Sequence, residues 1–368
     1  MKENIKIALV YDRINKFGGA ERVLLSLHRL FPEAPIFTLV HEPKASGWAK
    51  EIEIKPTFLN HLSFLRTRHE WLAPIAPLAF ETLNMSEFDV VISITSSDAK
   101  SVITKPHQLH LCYCLTPTRY FWSGAGEYAA DKKIRFLPDL LKNYFKFVDL
   151  VTSVRPDHYI AISDEVKNRV KKYYNRESSV IYPSIEDKFY TITQVSYANR
   201  DYYLIVSRLV PYKKVDLAIA VFNKLKLPLV IIGTGSESES LKRMSPSNIT
   251  FVDNVDDDRL TEYYRHAKAV IFPQDEDFGL VPLEAQALGT PVIAFGKGGA
   301  LETVIHLKTG YLFPEQTAES LTTAILASRK IRFNPQLCVQ NAARFNYATF
   351  SKQFSEAVNR LWHEHQSL

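Results

Sequence analysis

Two glutamates, Glu276 and Glu284, are the residues of this 368-residue chain whose type and spacing most directly suggest chemistry. They lie in the stretch AVIFPQDEDFGLVPLEAQALGT, which covers residues 269–290. An ionised carboxylate accepts hydrogen bonds but cannot donate them, so a cleft with two of them suits a ligand rich in hydroxyl groups. The pattern favours a sugar-nucleotide site, which needs phosphate binders elsewhere in the chain. The alternative is an acidic loop before a helix on a solvated surface.

A strand, a loop and a helix are predicted around these two glutamates. Residues 269–272 form a short apolar run typical of a buried parallel strand. Residues 280–288 have helical spacing, with a proline in the first turn and a glycine just past the end. Glu276 is then expected in the loop after the carboxyl end of a strand, where open α/β sheets bind ligands, and Glu284 near the start of the helix.

Basic residues and glycines supply the candidate phosphate binders. Arg208 and Lys213 follow the strand predicted at residues 202–207, and a guanidinium fork and an ammonium can converge on a diphosphate. Gly18 and Gly19 open a predicted helix, where backbone N–H groups can approach a phosphate and the helix dipole favours negative charge. Solvated basic side chains and a plain tight turn are the alternatives. The chain does not match the G-x-G-x-x-G fingerprint here, which argues against NAD or FAD.

Length and composition limit the classes of protein to which this chain can belong. The length exceeds what one core usually serves, so two domains are expected, and a hydrophobic content of 46% excludes a largely disordered chain. The balance of 45 basic against 40 acidic residues gives a net charge of +5, which is too mild to indicate nucleic acid as a partner. No apolar run approaches the roughly 18 residues of a spanning helix, and residues 1–11 do not have the pattern of a signal peptide. We therefore expect a cytoplasmic protein.

The three cysteines carry no metal or disulfide signature. Cys112, Cys114 and Cys338 include no C-x-x-C pair and have no histidine cluster of zinc-finger spacing beside them. They are predicted to be reduced core residues.

Strand and helix patterns alternate along the chain, which predicts doubly wound parallel sheets. Strands are predicted at residues 5–11, 35–40, 90–95, 109–115, 159–163, 180–182, 202–207, 229–233, 249–252, 269–272 and 291–295. We expect two Rossmann-like domains, residues 1–183 and 201–346, with a linker at 184–200 and a cleft between them. Phe350, Phe354, Val358 and Trp362 repeat every four residues, so residues 347–368 are predicted to form a helix that crosses back toward the first domain.

Two stretches mix apolar and basic residues. Residues 56–83 combine aromatic and aliphatic side chains with Arg66, Arg68 and His69, and residues 132–147 read KKIRFLPDLLKNYFKF. Such stretches can rest on an anionic membrane surface at the inner leaflet or meet a lipid-linked acceptor. The alternative is a helix whose apolar face is core and whose lysines are solvated.

Taken in order, these segments resemble the retaining glycosyltransferases of family 4, which have the GT-B fold. The most specific parts are EDFGLVPLEAQALGTPVIAFGKGGALETV from Glu276, SRLVPYKKVDLAI from Ser207 and the opening IALVYDRINKFGGAER. Seven residues separate Glu276 from Glu284, which is the E-x₇-E spacing of that family. The resemblance covers nearly the whole chain.

The resemblance implies a donor bound chiefly by the second domain. Glu284 would hold the ribose hydroxyls, Glu276 the transferred sugar, and Arg208 with Lys213 the diphosphate of a GDP- or UDP-linked sugar. Further donor contacts are implied or expected at Gly18, Gly19, Gly233, Asn254, Val255, Phe278, Gly279 and Leu280. Similar enzymes keep the anomeric configuration and are thought to use front-face attack, so no side-chain nucleophile, cofactor or metal is expected.

Residues 89–122 resemble bacterial O-antigen, capsule and exopolysaccharide mannosyltransferases and their relatives, which often use GDP-mannose. This resemblance implies transfer of a sugar to a growing, lipid-linked surface polysaccharide. Leu115 departs from the pattern, because relatives typically carry a histidine there that touches the donor sugar. Leucine cannot form a hydrogen bond, so another group serves, the sugar lacks the relevant hydroxyl, or catalysis is impaired. Arg119 remains a candidate for acceptor or phosphate contact.

Three other functions compete with this hypothesis. A GT-B sugar-nucleotide epimerase would also bind a donor at paired carboxylates, and a non-catalytic partner subunit would bind a donor without turnover. A metal-dependent GT-A transferase is suggested by the acidic triplets at residues 256–258 and 275–277. Their position late in a second αβ series argues against it.

Overall fold

The computed structural model describes residues 5–122, 139–190 and 200–367, apart from the side chains of residues 69 and 70. It divides into two compact units, Met1–Ser184 with Ala348–Leu368 and Ile185–Tyr347. Part of the linker predicted at 184–200, residues 191–199, lies outside the described residues, as does part of the basic segment predicted at 132–147.

The first unit is built on a seven-stranded parallel sheet with the order β3-β2-β1-β4-β5-β6-β7. Its strands are β1 (Ile7–Tyr11), β2 (Ile36–Thr38), β3 (Ile54–Pro56), β4 (Val90–Thr95), β5 (Leu109–Cys114), β6 (His158–Ala161) and β7 (Ser178–Val180). Its helices are α1 (Gly19–Leu30), α2 (Ala76–Glu81), α3 (Asp139–Ser153) and α4 (Asp164–Tyr174). The strand order reverses between β1 and β4, and ligands of open α/β sheets bind at such a switch point.

The second unit is built on a six-stranded parallel sheet with the order β10-β9-β8-β11-β12-β13. Its strands are β8 (Tyr202–Val206), β9 (Leu229–Ile232), β10 (Ile249–Val252), β11 (Ala267–Phe272), β12 (Val292–Phe295) and β13 (Gly310–Phe313). Its helices are α5 (Val215–Leu225), α6 (Ser238–Met244), α7 (Asp257–His266), α8 (Leu280–Ala287), α9 (Ala300–Thr303), α10 (Ala318–Ser328) and α11 (Pro335–Ala343). Here the order reverses between β8 and β11.

The final helix, α12, spans Tyr347–Gln366, and its residues from Ala348 onward belong to the first unit. It buries the predicted stripe of Phe350, Phe354, Val358 and Trp362. The ring of Phe354 lies 5.2 Å from that of Tyr113 on β5, centroid to centroid. The helix therefore completes the core of the first unit.

These two parallel-sheet halves and the C-terminal helix confirm the predicted fold class. The long apolar runs became the central strands, as in β1, β4 and β5, where every residue is buried. Two edge strands, β3 and β13, were not predicted. Each is short and only partly buried, so neither shows the continuous apolar run of a central strand.

Two further observations bear on the expectations from sequence. All three cysteines are free and buried, which confirms their prediction as reduced core residues. Among the described helices, none has the length and apolar character needed to cross a bilayer.

Candidate functional site

The loop that carries Glu276 follows β11 and is fixed by a second loop that follows β12. Glu276 forms an isolated parallel bridge with Gly298, and the Gly299 N–H donates to the Glu276 carbonyl at 2.8 Å. Gly298 has φ +59°, and a Cβ there would overlap the Glu276 carbonyl oxygen and the Asp275 carboxylate. The backbone of Glu276 is therefore held in place by a glycine that no other residue replaces without strain.

Lys213 and Glu276 are brought together in a direct ion pair. Lys213 ends the 3₁₀ turn Pro211–Lys213 after β8, and its Nζ donates to Glu276 Oε1. The two side chains are only 14% and 15% exposed. Because β8 and β11 are neighbours at the switch point of the second sheet, the loops after them meet at its carboxyl edge. The structure thus pairs the residue predicted to bind the diphosphate, Lys213, with the residue predicted to bind the transferred sugar, Glu276.

Arg208 precedes this turn in the loop after β8 and is exposed. Its guanidinium donates to the Tyr212 hydroxyl at 2.7 Å, and the Lys213 ammonium lies 5.0 Å from the centroid of the Tyr212 ring. Tyr212 therefore lies between the two cations. The loop after β8 therefore presents the exposed guanidinium of Arg208 and the partly buried ammonium of Lys213.

Gly233 ends β9 and packs against the backbone that leads to Arg208. It has φ +136°, and a Cβ would overlap the Ser207 carbonyl oxygen. This close approach by itself requires glycine, whether or not a ligand binds there. Asn254 and Val255 follow β10, and Asn254 is exposed.

The amino terminus of α8 lies just past the Glu276 loop. Gly279 is its N-cap with φ +92°, and no side chain caps the helix there. Leu280 is the first helical residue, and Phe278 is buried against Phe345 with ring centroids 5.7 Å apart. The first amides of a helix lack intrahelical acceptors and carry partial positive charge, so this end suits an anion.

Glu284 lies further along α8 and is only 4% exposed. Its Oε2 accepts from the hydroxyl of Tyr264 at 2.8 Å. Tyr264 is fully buried in α7, and its carbonyl accepts from Thr290 Oγ1 at 2.7 Å. Burying a carboxylate costs free energy unless the group is hydrogen-bonded. The hydroxyl of Tyr264 supplies one such hydrogen bond to Glu284 and fixes the orientation of its side chain.

Gln274 is a polar residue of this region that sequence reasoning missed. It follows β11 two positions before Glu276 and is 2% exposed. Its Oε1 has no hydrogen-bond partner among the described residues. A buried amide oxygen beside the loop that carries Glu276 is a candidate acceptor for a ligand hydroxyl. Nothing in its sequence spacing distinguishes it from an ordinary loop residue.

In the first unit, Gly18 and Gly19 lie at the start of α1. Gly18 is the N-cap and its backbone is extended, with φ −173°, a conformation open to any residue. A Cβ at Gly18 would approach Glu21 Oε2 at 3.4 Å, which is ordinary contact. Neither strain nor space therefore requires glycine here, unlike at Gly298.

Leu115 and Arg119 follow β5. Leu115 is 6% exposed, and its N–H donates to the Thr95 carbonyl at 2.8 Å. Arg119 is partly buried. The predicted residues of the first unit are thus arranged along the carboxyl edge of its sheet, after β1 and β5.

A buried carboxylate that sequence reasoning missed holds the segment after β5. Asp149 of α3 pairs with Lys100 at 2.6 Å, and the two side chains are 5% and 2% exposed. The same carboxylate accepts from Thr118 Oγ1 at 2.8 Å, Trp122 Nε1 at 2.7 Å and the Tyr174 hydroxyl at 2.9 Å. Burial on its own would lower the pKa of Lys100, but Asp149 and other nearby groups raise it above its usual range. The segment 118–122 is thereby fixed to α3 and α4.

Asp12 plays a similar part at the switch point of the first sheet. It follows β1, is 5% exposed, and accepts from Thr95 Oγ1 at 2.7 Å and from the backbone N–H groups of Ser96, Asp98 and Ala99 at 2.7–3.0 Å. The loop after β4 is therefore rigidly held. Burial raises the pKa of Asp98 in that loop to about 6, against the opposing effect of Lys100.

A recess of about 530 Å³ lies near the amino ends of β8 and β11, away from Glu276 and Glu284. Its lining includes Arg200, Lys268, Arg329, Lys330 and Arg332. The candidate site remains the carboxyl edge of the sheet, because the ion pair of Lys213 and Glu276 lies there.

Residues 191–344 match the family model described as glycosyl transferases group 1. The chain is 31% identical over 169 residues to a D-inositol 3-phosphate glycosyltransferase of Mycobacteroides abscessus, covering 42% of this chain and 38% of that protein. It is 30% identical over 172 residues to the O-antigen chain mannosyltransferase RfbU of Salmonella typhimurium, covering 43% of this chain and 48% of that protein. The matches thus span less than half of the length of these two relatives.

Among solved structures, the chain is similar over its whole length to a sucrose-phosphate synthase from Thermosynechococcus elongatus. The TM-score is 0.76 at 19% identity, with 98% of this chain and 100% of that chain covered. Anabaena HepE in complex with UDP and glucose gives a TM-score of 0.69 at 19% identity, with 97% and 100% covered. These likenesses establish the GT-B fold.

Proposed function

We propose that this chain, whose residues 191–344 match the family model of glycosyl transferases group 1, is a retaining glycosyltransferase. The observation that carries the proposal is the Lys213–Glu276 ion pair, which lies inside the matched segment at the switch point of the second sheet. We take GDP-mannose as the donor and a growing, lipid-linked surface polysaccharide as the acceptor. Mannosyltransferases among the relatives support the choice of sugar, including RfbU and a GDP-mannose-dependent phosphatidylinositol monomannoside mannosyltransferase of Mycolicibacterium smegmatis.

Stabilisation of the leaving diphosphate is the main catalytic effect. Glycosyl transfer builds positive charge at the anomeric carbon and negative charge on the leaving oxygen, so cations aimed at that oxygen lower the barrier. Lys213 supplies a half-buried ammonium and Arg208 a guanidinium that can bind two oxygens at once. The uncapped amino terminus of α8, at Gly279 and Leu280, adds amide donors.

Donor binding exchanges the Lys213–Glu276 contact for contacts with the ligand. The ammonium turns to the diphosphate, and the Glu276 carboxylate then accepts hydrogen bonds from hydroxyl groups of the transferred sugar. The pair keeps both charges compensated until the donor arrives, which lowers the cost of holding them in a half-buried site. Glu284, oriented by Tyr264, accepts from the ribose hydroxyls.

Transfer with retention needs no side-chain nucleophile. In front-face attack, an oxygen of the donor's own phosphate accepts the proton of the acceptor hydroxyl. The bond from the anomeric carbon to the diphosphate breaks as the bond to the acceptor oxygen forms on the same face. The activity is proposed to be independent of metal and cofactor, so a chelator should leave the rate unchanged.

The first unit is proposed to bind the acceptor and to face the inner leaflet of the cell membrane. Leu115 and Arg119 lie at the carboxyl edge of its sheet, where they can contact the acceptor or the donor sugar. The Leu115 N–H donates to the Thr95 carbonyl, and Arg119 belongs to the segment held by the Asp149 network. Gly18 and Gly19 offer amides for the diphosphate. No nucleic acid is proposed as a partner.

A transfer assay tests this function. Thermal-shift screening against GDP, UDP and their sugars identifies the donor, and that donor is then supplied with lipid-linked glycan acceptors. Glu276→Ala and Lys213→Ala should each abolish transfer, whereas Lys171→Ala, which removes an exposed lysine that pairs with Glu177, should not.

The rival functions give different results in the same assay. An epimerase would convert the donor without any acceptor. A non-catalytic subunit would be stabilised by the donor and show no turnover. Near-normal transfer by either site variant would contradict the proposed mechanism.

A further inference from the structure

Helix α3 has its polar face turned inward. Of its described residues, the buried ones are Asp149, Thr152 and Ser153, all polar. The exposed positions include Leu140, Tyr144, Phe147 and Val151, at 81%, 53%, 63% and 44% exposure. These residues are three or four apart, so they form one stripe along the helix. An amphipathic helix of a water-soluble domain normally shows the opposite arrangement.

The Asp149 network fixes this orientation. The carboxylate receives four hydrogen bonds, from Lys100, Thr118, Trp122 and Tyr174, and all of these donors lie in the body of the first unit. Turning the helix to bury the apolar stripe would break every one of these bonds and separate the buried Lys100 from the carboxylate that pairs with it. The apolar stripe is therefore held outward by specific contacts.

The carboxyl end of α3 contacts the end of α2, and α2 follows a second stretch of exposed apolar residues. Arg155, just past that end, donates to Glu81 at the end of α2 at 2.5 Å and also to the Ser101 carbonyl. The residues before Glu81 expose large apolar side chains at Phe58, Leu62, Phe64, Trp71, Ile75 and Leu78. Of the 21 exposed large hydrophobic residues in the described part of the chain, 13 fall in residues 58–78 and 140–154. Concentration of this kind marks an interaction surface.

The charges at this surface are mostly positive. Residues 58–78 contain two cations, Arg66 and Arg68, and one acidic residue, Glu70. On α3 itself, Lys142 and Lys146 accompany the stripe, the exposed Asp139 pairs with Lys142, and Asp149 is turned inward. A second copy of this chain would set like charges against each other, whereas an anionic lipid surface complements them.

We infer that the exposed stripe of α3, together with residues 58–78, docks on an anionic lipid bilayer. Aromatic and aliphatic side chains enter the boundary between headgroups and acyl chains, and the flanking cations contact the anionic headgroups. The inference rests on the proposed function and deepens it, because docking brings the carboxyl edge of the first sheet to an acceptor held in the membrane.

Vesicle flotation tests the docking surface. The wild-type chain is mixed with vesicles of phosphatidylcholine alone or of phosphatidylcholine with phosphatidylglycerol. Leu140→Ser/Phe147→Ser removes two side chains of the stripe, and Leu326→Ser/Leu337→Ser, at 43% and 40% exposure in the second unit, is the matched control. We expect the wild type and the control to float with the anionic vesicles. The stripe variant should lose at least tenfold in partitioning, and high salt should weaken binding of the wild type.

Transfer to a water-soluble acceptor separates this inference from the proposed function. The stripe variant should transfer sugar to such an acceptor at the wild-type rate, while losing activity on a vesicle-bound acceptor. Equal flotation of the stripe variant and the control would overturn the docking surface even if transfer is intact. A wild-type dimer in the absence of lipid that the stripe variant converts to a monomer would also overturn it, since a second copy would then occupy the stripe.

Discussion

Asp149→Ala should destabilise the first unit far more than an ordinary substitution. The variant takes from Lys100, a cation at 2% exposure, the carboxylate that pairs with it, and removing one partner of a buried pair costs about 3–5 kcal/mol. It also removes the hydrogen-bond acceptor of the donors on Thr118, Trp122 and Tyr174. Domains are typically stable by about 5–15 kcal/mol, so the loss is a large part of the total.

The same contacts predict the order of the stability losses in other variants of Lys100 and Asp149. Lys100→Met should cost less than Asp149→Ala, because three neutral donors still hydrogen-bond the remaining carboxylate. The double variant Lys100→Met/Asp149→Leu should cost less than the sum of the single changes, because it leaves neither member of the pair without its partner. We expect a coupling energy of about 2 kcal/mol or more between the two sites.

Tryptophan fluorescence during urea unfolding measures these differences selectively. All four tryptophans of the chain, Trp48, Trp71, Trp122 and Trp362, belong to the first unit. The signal therefore reports that unit without contribution from the second. A cost for Asp149→Ala within the roughly 0.5 kcal/mol typical of surface substitutions would refute the role assigned to this network.

Two further predictions concern pH dependence and the candidate site. Burial lowers the pKa of His110 to about 3, so the folded chain keeps this ring neutral while the unfolded chain takes up a proton below its ordinary pKa of 6.5. Stability is then lost as the pH falls from 6.5 towards 3, and His110→Gln should reduce the loss between pH 7 and 4 by up to about 3 kcal/mol in urea unfolding; an unchanged pH dependence would contradict this. Gly298→Ala should cost about 1–2 kcal/mol and weaken nucleotide binding in thermal-shift titrations, because its Cβ meets the Glu276 carbonyl. Wild-type binding in this variant would show that the loop contact is dispensable.

The sequence was enough to predict those parts of the fold and of the candidate site that local patterns determine. The central strands are continuous apolar runs, and polar residues at their carboxyl ends are expected to converge in a parallel sheet. Lys213 and Glu276 are 63 residues apart, yet their pairing follows from the positions of β8 and β11. Glu284 was recognisable through its E-x₇-E spacing in the resemblance.

Long-range polar contacts in the first unit could not be predicted in this way. Lys100 and Asp149 are 49 residues apart and lie on a 3₁₀ turn and a helix, so no strand order brings them together in advance. The inward turn of α3 depends on this pair, and its periodicity alone predicts an ordinary core helix. Helical spacing shows that a stripe exists but not which side of the helix meets the core.

Calorimetric titration of the donor into Lys213→Ala tests the central claim most directly. If the second unit binds the diphosphate through this ammonium, the variant should lose about 1.5–3 kcal/mol, or at least tenfold in affinity, relative to the wild type. Lys171→Ala, which breaks the exposed pair with Glu177, should bind as the wild type does. Equal affinities for all three chains would contradict the assignment of Lys213 and its partner Glu276 to the donor site.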